Sequence, residues 1–463
     1  MKNNKYILIL ISALVVITTF SANTFAAEYS LEELIEYGIE NNVEINNIQS
    51  EIQTTKRNIK LNNAQADWQA NMNLNKVLVD DDTVNLNRDG DQVSVGINKK
   101  LVEDNLTINP NMSYNFDGSD FIYGLNLSVD LYPEIPSERI RTLISLNNQL
   151  NQKLKELNSK KAELVKKWTD HYLQLVRIDQ NNNILENRLQ LAEDYLKEVQ
   201  KQVEINEAGQ QELLEAKANL IDAEYNLKEI NQQYSQLKRT LLNSVNLAKD
   251  TNIILNENNS VIKNLQKLTN NLSVVNLNKK LLIENVVRTS SQFASIINRS
   301  ELLKKELNWL EKEDNPQVSI DGGYSSETEF QASLNVSYNL FDSGVQKLKE
   351  ENKKQEIKNN EVALEQLYND TENSLEQIID HIELSKMDVE RKELKYKKAS
   401  DNVEILTKQF KAGAVQKRIL TDNKLSEENA LINLKRANDS LLLNKFDFLI
   451  FSRPADIVEE VNR

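Results

Sequence analysis

The chain contains two histidines, His171 and His381, and each directly follows an aspartate within a helical pattern. An Asp-His pair repeated in both halves of a chain suggests metal binding. A zinc site on a helix, however, needs a second ligand three or four residues away on the same face, and neither histidine has one. We therefore expect both histidines to be ordinary helix residues, with no bound metal.

Other chemical signatures are also missing from the sequence. It has no glycine-rich phosphate loop, no HExxH motif and no nucleophile elbow, and Asp80-Asp81-Asp82 is typical of a solvated turn. The absence of cysteine excludes disulfides, thiolate zinc sites and a lipid-modified N-terminal cysteine. A formal charge of −14 argues against nucleic acid as a partner, because phosphate binding needs a basic patch. We expect neither an enzyme nor a cofactor.

Composition instead predicts long helices. Only 10 glycines and 5 prolines occur in 463 residues, and residues 137–208 contain neither type. A helix of that length would span on the order of 100 Å, far more than a globular domain. The molecule is therefore predicted to be elongated.

Two glycines mark predicted hairpin turns. Apolar residues recur at steps of three and four on both sides of Ala208-Gly209, so one stripe on each helix faces a partner helix. Gly209 is predicted to be a left-handed C-cap. Ala412-Gly413 interrupts a second long heptad pattern in the same way. The two hairpin tips are placed at 208–210 and 412–414.

Other stretches alternate with a period of two. The apolar series in the first half opposes Gly124, Asn126, Ser128 and Asp130, and the series in the second half opposes Gln331, Ser333, Asn335 and their neighbours. Such strands suit either a soluble sandwich or a transmembrane barrel with a wet lumen. The two apolar series are Phe121, Tyr123, Leu125, Leu127, Val129 and Leu131, and Phe330, Ala332, Leu334, Val336, Tyr338 and Leu340.

The N-terminus is typical of a secretory signal peptide. Lys2 and Lys5 precede an apolar run from Tyr6 to Phe20, which is followed by small residues. The run is too short for a membrane-spanning helix. Cleavage is expected after Ala26 or Ala27.

The two halves of the mature chain repeat each other. The segment 125–132 aligns with 334–341, Asp170-His171 with Asp380-His381, and Trp68-Gln69 with Pro316-Gln317. We divide the chain into a signal peptide (1–27), a first repeat (28–246, strands within 68–132), a connector (247–280), a second repeat (281–450, strands within 316–341) and a C-terminal tail (451–463). So large a repeat implies two equivalent units. Neither unit has enough strands or helices to close a barrel or tube, so closure requires other copies of the chain.

The sequence resembles the TolC-like outer-membrane efflux proteins, also called outer membrane factors, over nearly all of its mature length. The resemblance depends on Ser30-Leu-Glu-Glu-Leu followed by Glu40-Asn41-Asn42, on Tyr338-Asn-Leu-Phe-Asp-Ser-Gly344, and on the order of helices, strands and glycine turns. It implies a mainly α fold with β, in which a duplicated helix–strands–long helical hairpin unit assembles as a homotrimer. A transmembrane β-barrel in the outer-membrane lipid would continue into a periplasmic α-helical barrel. The complex would be a passive exit duct for efflux or type I secretion.

The resemblance also implies roles for individual residues. A periplasmic adaptor, together with an inner-membrane transporter, would dock at the turns, which contain Ala208, Gly209, Ala412 and Gly413. Glu212 and Glu215 match the acidic pair that narrows the entrance in this family, and the second half has Arg418 and Asp422 there instead. The residues implied to face lipid are Phe121, Tyr123, Leu125, Leu127, Val129, Leu131, Leu334, Val336, Tyr338 and Leu340.

Two departures from the family leave alternatives open. The loops after both glycines are shorter than usual, and 68–132 offers four strands where the family needs two, so an enlarged barrel or an extracellular hairpin would both fit. A secreted coiled-coil adhesin or surface structural protein would also be acidic, helical and free of cysteine. A periplasmic adaptor has a coiled-coil hairpin as well, although usually one per chain.

Overall fold

The computed structural model describes residues 28–75, 92–101, 105–116, 120–270, 272 and 278–462. The signal peptide predicted at 1–27 and the acidic turn predicted at 80–82 lie outside these residues. Within the described chain, no helix combines the length and the apolar character needed to cross a membrane.

The element order of the first half recurs in the second. In each half, short helices lead to strands, then to a helix of 67 residues, and finally to a return helix of 35 or 36 residues. The helices are α1 (Leu31–Asn41), α2 (Val43–Ala64), α3 (Glu138–Glu204), α4 (Gln210–Ser244), α5 (Ser260–Asn270), α6 (Lys279–Thr289), α7 (Ser291–Glu313), α8 (Val345–Lys411), α9 (Lys417–Ser452) and α10 (Pro454–Asn462). The strands are β1 (Glu28–Tyr29), β2 (Gln69–Asn75), β3 (Gln92–Leu101), β4 (Leu106–Asn115), β5 (Asp120–Tyr132), β6 (Asn252–Ile253), β7 (Gln317–Ser325) and β8 (Glu329–Ser337).

Polar caps divide the helical segment before the strands of each half into two helices. A capping box of Ser30 with Glu33 starts α1. Asn42 then ends α1 and caps α2 by accepting hydrogen bonds from the backbone of Glu44 and Ile45. Ser290 separates α6 from α7 in the same manner. Asn and Ser side chains compete with the helix backbone for hydrogen bonds, and a search for apolar periodicity does not detect this.

The predicted conformation of the first hairpin turn was wrong. Gly209 has φ −92° and ψ 165° and is the N-cap of α4, not a left-handed C-cap. The left-handed residue is Asn206, with φ 53°. Asn tolerates this region better than most residues, so a glycine is not required there. In the second turn, Gly413 is left-handed, with φ 74°.

The main core lies midway along the long helices. The connector and the tail both contribute to it: β6 pairs in parallel with β1, and Ile457 and Val461 of α10 are fully buried. These two segments pack with Trp168 and Tyr172 of α3 and Phe446 of α9 in one cluster. Their apolar residues are too few to predict packing from the sequence, since they become a core only against α3.

A glycine permits the closest helix contact in this core. A Cβ atom added at Gly38 of α1 would lie 2.6 Å from Cη2 of Trp168. Trp168 is fully buried, so its ring cannot move aside without displacing other core residues. The absence of a side chain at Gly38 is therefore a packing requirement.

We expect Gly38→Ala to destabilise the protein despite the better helix propensity of alanine. Overpacking destabilises a folded core by about 1–3 kcal/mol, whereas the better helix propensity of alanine stabilises it by about 1 kcal/mol. Urea unfolding followed by circular dichroism measures the difference. In a Trp168→Leu background the same substitution should cost clearly less. An equal cost in both backgrounds would show that the clash is not the cause.

A buried ion network fixes α3 to α9 beside this core. The guanidinium of Arg177, with its side chain 7% exposed, donates to Asp439 Oδ2 at 2.7 Å and to Glu257 Oε2 at 2.6 Å. Lys435 lies 2.9 Å from the same Glu257 oxygen. Burial alone would raise the pKa of Glu257, but hydrogen bonds from Arg177, Lys435 and Gln180 lower it from 4.5 to about 2. The network thus favours the ionised carboxylate.

This lowered pKa predicts a pH-dependent contribution to stability. Above pH 4.5 the ionised Glu257 stabilises the fold, and this contribution is lost as the pH falls from 4.5 towards about 2. Glu257→Gln should lower the melting temperature at pH 7, and the gap to the unmodified protein should narrow below pH 4.5. Melting followed by circular dichroism from pH 7 to pH 3 measures the gap. Glu198→Gln, at an exposed site on α3, is the control and should leave no such gap.

Candidate channel wall and entrance

Six of the eight strands form one antiparallel sheet in the order β2-β3-β4-β5-β7-β8. All four strands within 68–132 belong to it, and β5 pairs directly with β7 of the second half. The sequence analysis left open whether the stretch 68–132 contributes two or four strands to the wall. The structure makes the β2–β3 hairpin continuous with the rest of the sheet.

One face of the sheet is apolar from edge to edge. Because the strands are in register, most apolar residues of this face lie beside apolar residues or glycine on the neighbouring strands, and the exception is Ile108, which lies opposite Lys99 of β3. Phe121 is 56% exposed and Leu334 64%, so the described chain leaves this face uncovered. Its rows include Leu106–Val129–Ile320–Leu334, Ile108–Leu127–Gly322–Ala332 and Pro110–Leu125–Tyr324–Phe330.

The structure places most of the predicted lipid-facing residues on these strands, with corrections at the ends. Tyr338 and Leu340 lie beyond the last residue of β8, because its partner strand begins at Gln317, opposite Ser337. Leu131 falls at a bulge in β5, so Tyr132 takes the place opposite Val318. Strict alternation could not predict either the strand end or the bulge. The residues in regular pairing are Phe121, Tyr123, Leu125, Leu127, Val129, Leu334 and Val336.

The opposite face is polar and forms an open concavity. Thr107, Ser128, Asp321 and Ser333 are aligned across four strands. Asp321 accepts hydrogen bonds from Ser128 Oγ at 2.6 Å and from Asn335 Nδ2 at 2.5 Å. Small amides and hydroxyls fill most of the remaining positions. This face is suited to contact with water.

Aromatic residues occur at both ends of the apolar face. At the end far from the helices, ring centroids of Tyr114 and Phe116 are 5.1 Å apart and those of Tyr123 and Tyr324 are 6.3 Å apart. At the helical end, Lys99 Nζ lies 5.1 Å from the ring centroid of Trp68. Aromatic rings at the margins of an aliphatic band are typical of sheets that cross a bilayer. Sequence analysis missed this grouping because it forms only when the strands are set in register.

The two hairpin tips lie at the other end of the molecule. Since α3 and α8 both start beside the sheet, their far ends are about 100 Å away from it. The predicted docking residues Ala208, Gly209, Ala412 and Gly413 are all in these tips, between α3 and α4 or between α8 and α9. Ile205, 62% exposed, adds an apolar side chain to the first tip.

Near the tips, the two hairpins touch through a cation–π contact. The guanidinium carbon of Arg418, on α9, lies 4.0 Å from the ring centroid of Tyr195 on α3. Asp422 lines the same cleft, together with Arg188 and Asp222 of the first hairpin. Of the four predicted entrance residues, the structure thus brings Arg418 and Asp422 together. The other two, Glu212 and Glu215, are exposed on α4 outside this cleft. Tyr195, Arg188 and Asp222 were missed because the contact is between distant parts of the sequence.

The described part of the chain contains no candidate metal site. No group of three or more His, Asp or Glu side chains there is placed to hold an ion. His171 is on α3, with Nδ1 buried and without a hydrogen-bond partner, while His381 is on α8.

Comparison with known proteins identifies the fold. No protein-family model matches the chain, and no curated protein matches its sequence. Among solved structures, CusC, described in connection with transmembrane channel formation, has a TM-score of 0.64 at 12% identity over 92% of this chain and 93% of CusC. The CmeC outer membrane channel of Campylobacter jejuni has a TM-score of 0.60 at 13% identity, over 93% of this chain and 89% of CmeC. The outer membrane protein VceC of Vibrio cholerae has 0.58 at 12%, over 93% and 96%. The chain has the fold of these TolC-like proteins, and the resemblance found in the sequence is confirmed at the level of the fold.

Proposed function

We propose that the chain is the outer-membrane exit duct of an efflux or type I secretion system. The observation that carries this is a sheet with an uncovered apolar face and a concave polar face, joined directly to two helices of 67 residues each. The apolar face suits lipid and the polar face suits a water-filled lumen. The helices would extend this passage through the periplasm.

The duct requires more than one copy of the chain. Apolar side chains on both long hairpins remain uncovered within the described chain, among them Ile221 (63% exposed) and Tyr225 (65%) on α4, and Met387 (66%) and Leu394 (64%) on α8. Stripes of this kind favour burial against another helix. In a homotrimer, α4 and α8 of neighbouring copies would cover each other and close the helical tube.

The remaining partners belong to the same proposal. A periplasmic adaptor and an inner-membrane transporter would dock at the exposed tips, which contain Ala208, Gly209, Ala412 and Gly413. Transport would be passive in the duct itself, with the transporter supplying the energy. The chain would act without a cofactor and without enzymatic activity.

The lipid-facing assignment predicts an asymmetric effect of added charge. Leu127→Asp places a carboxylate on the apolar face and should destabilise the inserted protein, by less than the about 2–4 kcal/mol that a lysine costs at the bilayer midplane. Asn126→Asp, on the adjacent residue and the polar face, is the matched control and should have little effect. Heat-modifiable mobility of the outer-membrane fraction on electrophoresis measures folded protein. Equal yields of the two variants would contradict the assignment.

The orientation separates this duct from a secreted adhesin. Glu327→Cys, in the β7–β8 turn, should react with a membrane-impermeant maleimide added to intact cells. Ala414→Cys, in the second tip, should react only after the outer membrane is permeabilised. Labelling is clean because the chain has no native cysteine. The reverse pattern would support the adhesin.

We further propose that Arg418 and Tyr195 hold the entrance closed. An exposed cation–π contact contributes about 0.5–1 kcal/mol, so removing it should raise the ratio of open to closed channels about two- to five-fold. Single-channel recording of Arg418→Gln in planar bilayers measures this ratio. Lys417→Gln, one residue away, controls for the loss of a charge. An unchanged ratio in Arg418→Gln would assign the contact a purely structural role.

A further inference from the structure

The two edges of the six-stranded sheet are open. In the described chain, β2 pairs only with β3, and β8 pairs only with β7. Their apolar side chains are highly exposed: Met72 is 69% exposed, Leu74 68% and Phe330 75%. Unpaired strand edges with apolar residues are unfavourable both in lipid and in water.

The direction of the strands makes the two edges complementary. With six strands and antiparallel pairing throughout, β2 runs away from the helices and β8 runs back towards them. When two copies lie side by side in the same orientation, β8 of one is therefore antiparallel to β2 of the next. Such a head-to-tail contact forms a closed ring when the rotation between copies allows it.

The β2–β3 hairpin has the two faces of a membrane wall. Met72 pairs with Val95 and Leu74 with Val93 on the apolar side, whereas Asn73 pairs with Ser94 on the polar side. Across β3, Val93 and Val95 continue into Tyr114 and Met112 of β4. An external hairpin would leave this apolar side in water, while a hairpin in the wall places it in lipid.

We propose that β8 of each copy pairs with β2 of the next, so that the β2–β3 hairpin is part of the transmembrane wall. This inference rests on the proposed duct and gives the number of strands and the diameter of its barrel. Three copies of a six-stranded sheet make an eighteen-stranded barrel. At a strand spacing of about 4.8 Å and a tilt of about 40°, its backbone diameter is on the order of 35 Å. A barrel of that size contains an open aqueous channel, so the restriction on what passes lies at the hairpin tips.

The pleat restricts the register of this junction. Apolar residues have even numbers on both edges, Ala70, Met72 and Leu74 on β2 and Ala332, Leu334 and Val336 on β8. A shift by one residue would bring apolar residues to the lumen, so odd numbers must pair with odd. Asn73 is therefore opposite an odd-numbered residue of β8 in the neighbouring copy, which is Glu329, Gln331, Ser333, Asn335 or Ser337.

Cysteine cross-linking tests the junction in the full-length protein. Asn73→Cys is combined in turn with Glu329→Cys, Gln331→Cys, Ser333→Cys, Asn335→Cys or Ser337→Cys, and membranes are oxidised and run on a non-reducing gel. Since β2 and β8 lie at opposite edges of one chain's sheet, a disulfide between them must join two copies. We expect at least one pair to give covalent dimers and trimers in more than half of the protein. The control pair of Asn73→Cys with Leu334→Cys, on opposite faces, should give none.

The competing arrangement has its own cross-link. If the β2–β3 hairpin lies outside the wall, β4 becomes the edge, and Asn109→Cys or Asn111→Cys will cross-link to the same positions of β8. That result overturns the eighteen-stranded barrel and leaves the duct intact. A monomeric protein with neither cross-link overturns both. Absence of all five Asn73 cross-links in a protein that still runs as a trimer also overturns the junction.

Discussion

The structure depends on one constraint: the chain carries amphipathic surfaces that it cannot cover by itself. The apolar face of the sheet is exposed, with Leu334 64% exposed. Apolar residues of the long hairpins such as Ile221 are exposed as well. In a soluble monomer, surfaces of this size are unfavourable and lead to association. In the proposed duct, lipid on the sheet and further copies beside the helices would cover both surfaces at once.

Stability and adaptability are separated along the long axis. Midway along the helices, Trp168, Tyr172 and Phe446 are fully buried, and Arg177 fastens α3 to α9 through Asp439. Towards the tips the buried residues become sparse, with Ala216 the only fully buried one in the first half of α4 as described. Local opening costs least where few apolar contacts are buried. The tips are thus the part of the molecule that can change shape while the middle stays fixed.

The elements that follow from local periodicity were predictable from the sequence. Helices of 67 residues, the strand alternation around Leu127 and the two hairpin turns all arise from patterns within a single segment. Features that depend on a partner segment were not. The end of β8 at Ser337 and the contact between Arg418 and Tyr195 each require knowledge of what lies opposite, whereas the cap at Asn42 and the left-handed Asn206 are local features that apolar periodicity does not reveal. The contribution of α5 and α10 to the core was not predicted either, because both are short segments without a repeating pattern.

The position of the contact between Arg418 and Tyr195 makes it suitable for the proposed entrance. Arg418 lies in the first turn of α9 and Tyr195 lies near the end of α3, so the contact is close to both tips and far from the core. A weak, exposed contact has little effect on a rigid region, where many buried residues already determine the geometry. At the end of two long helices with few buried residues, about 1 kcal/mol is enough to change which of two arrangements predominates. Control by a weak interaction is therefore possible at the tips but not in the middle of the molecule.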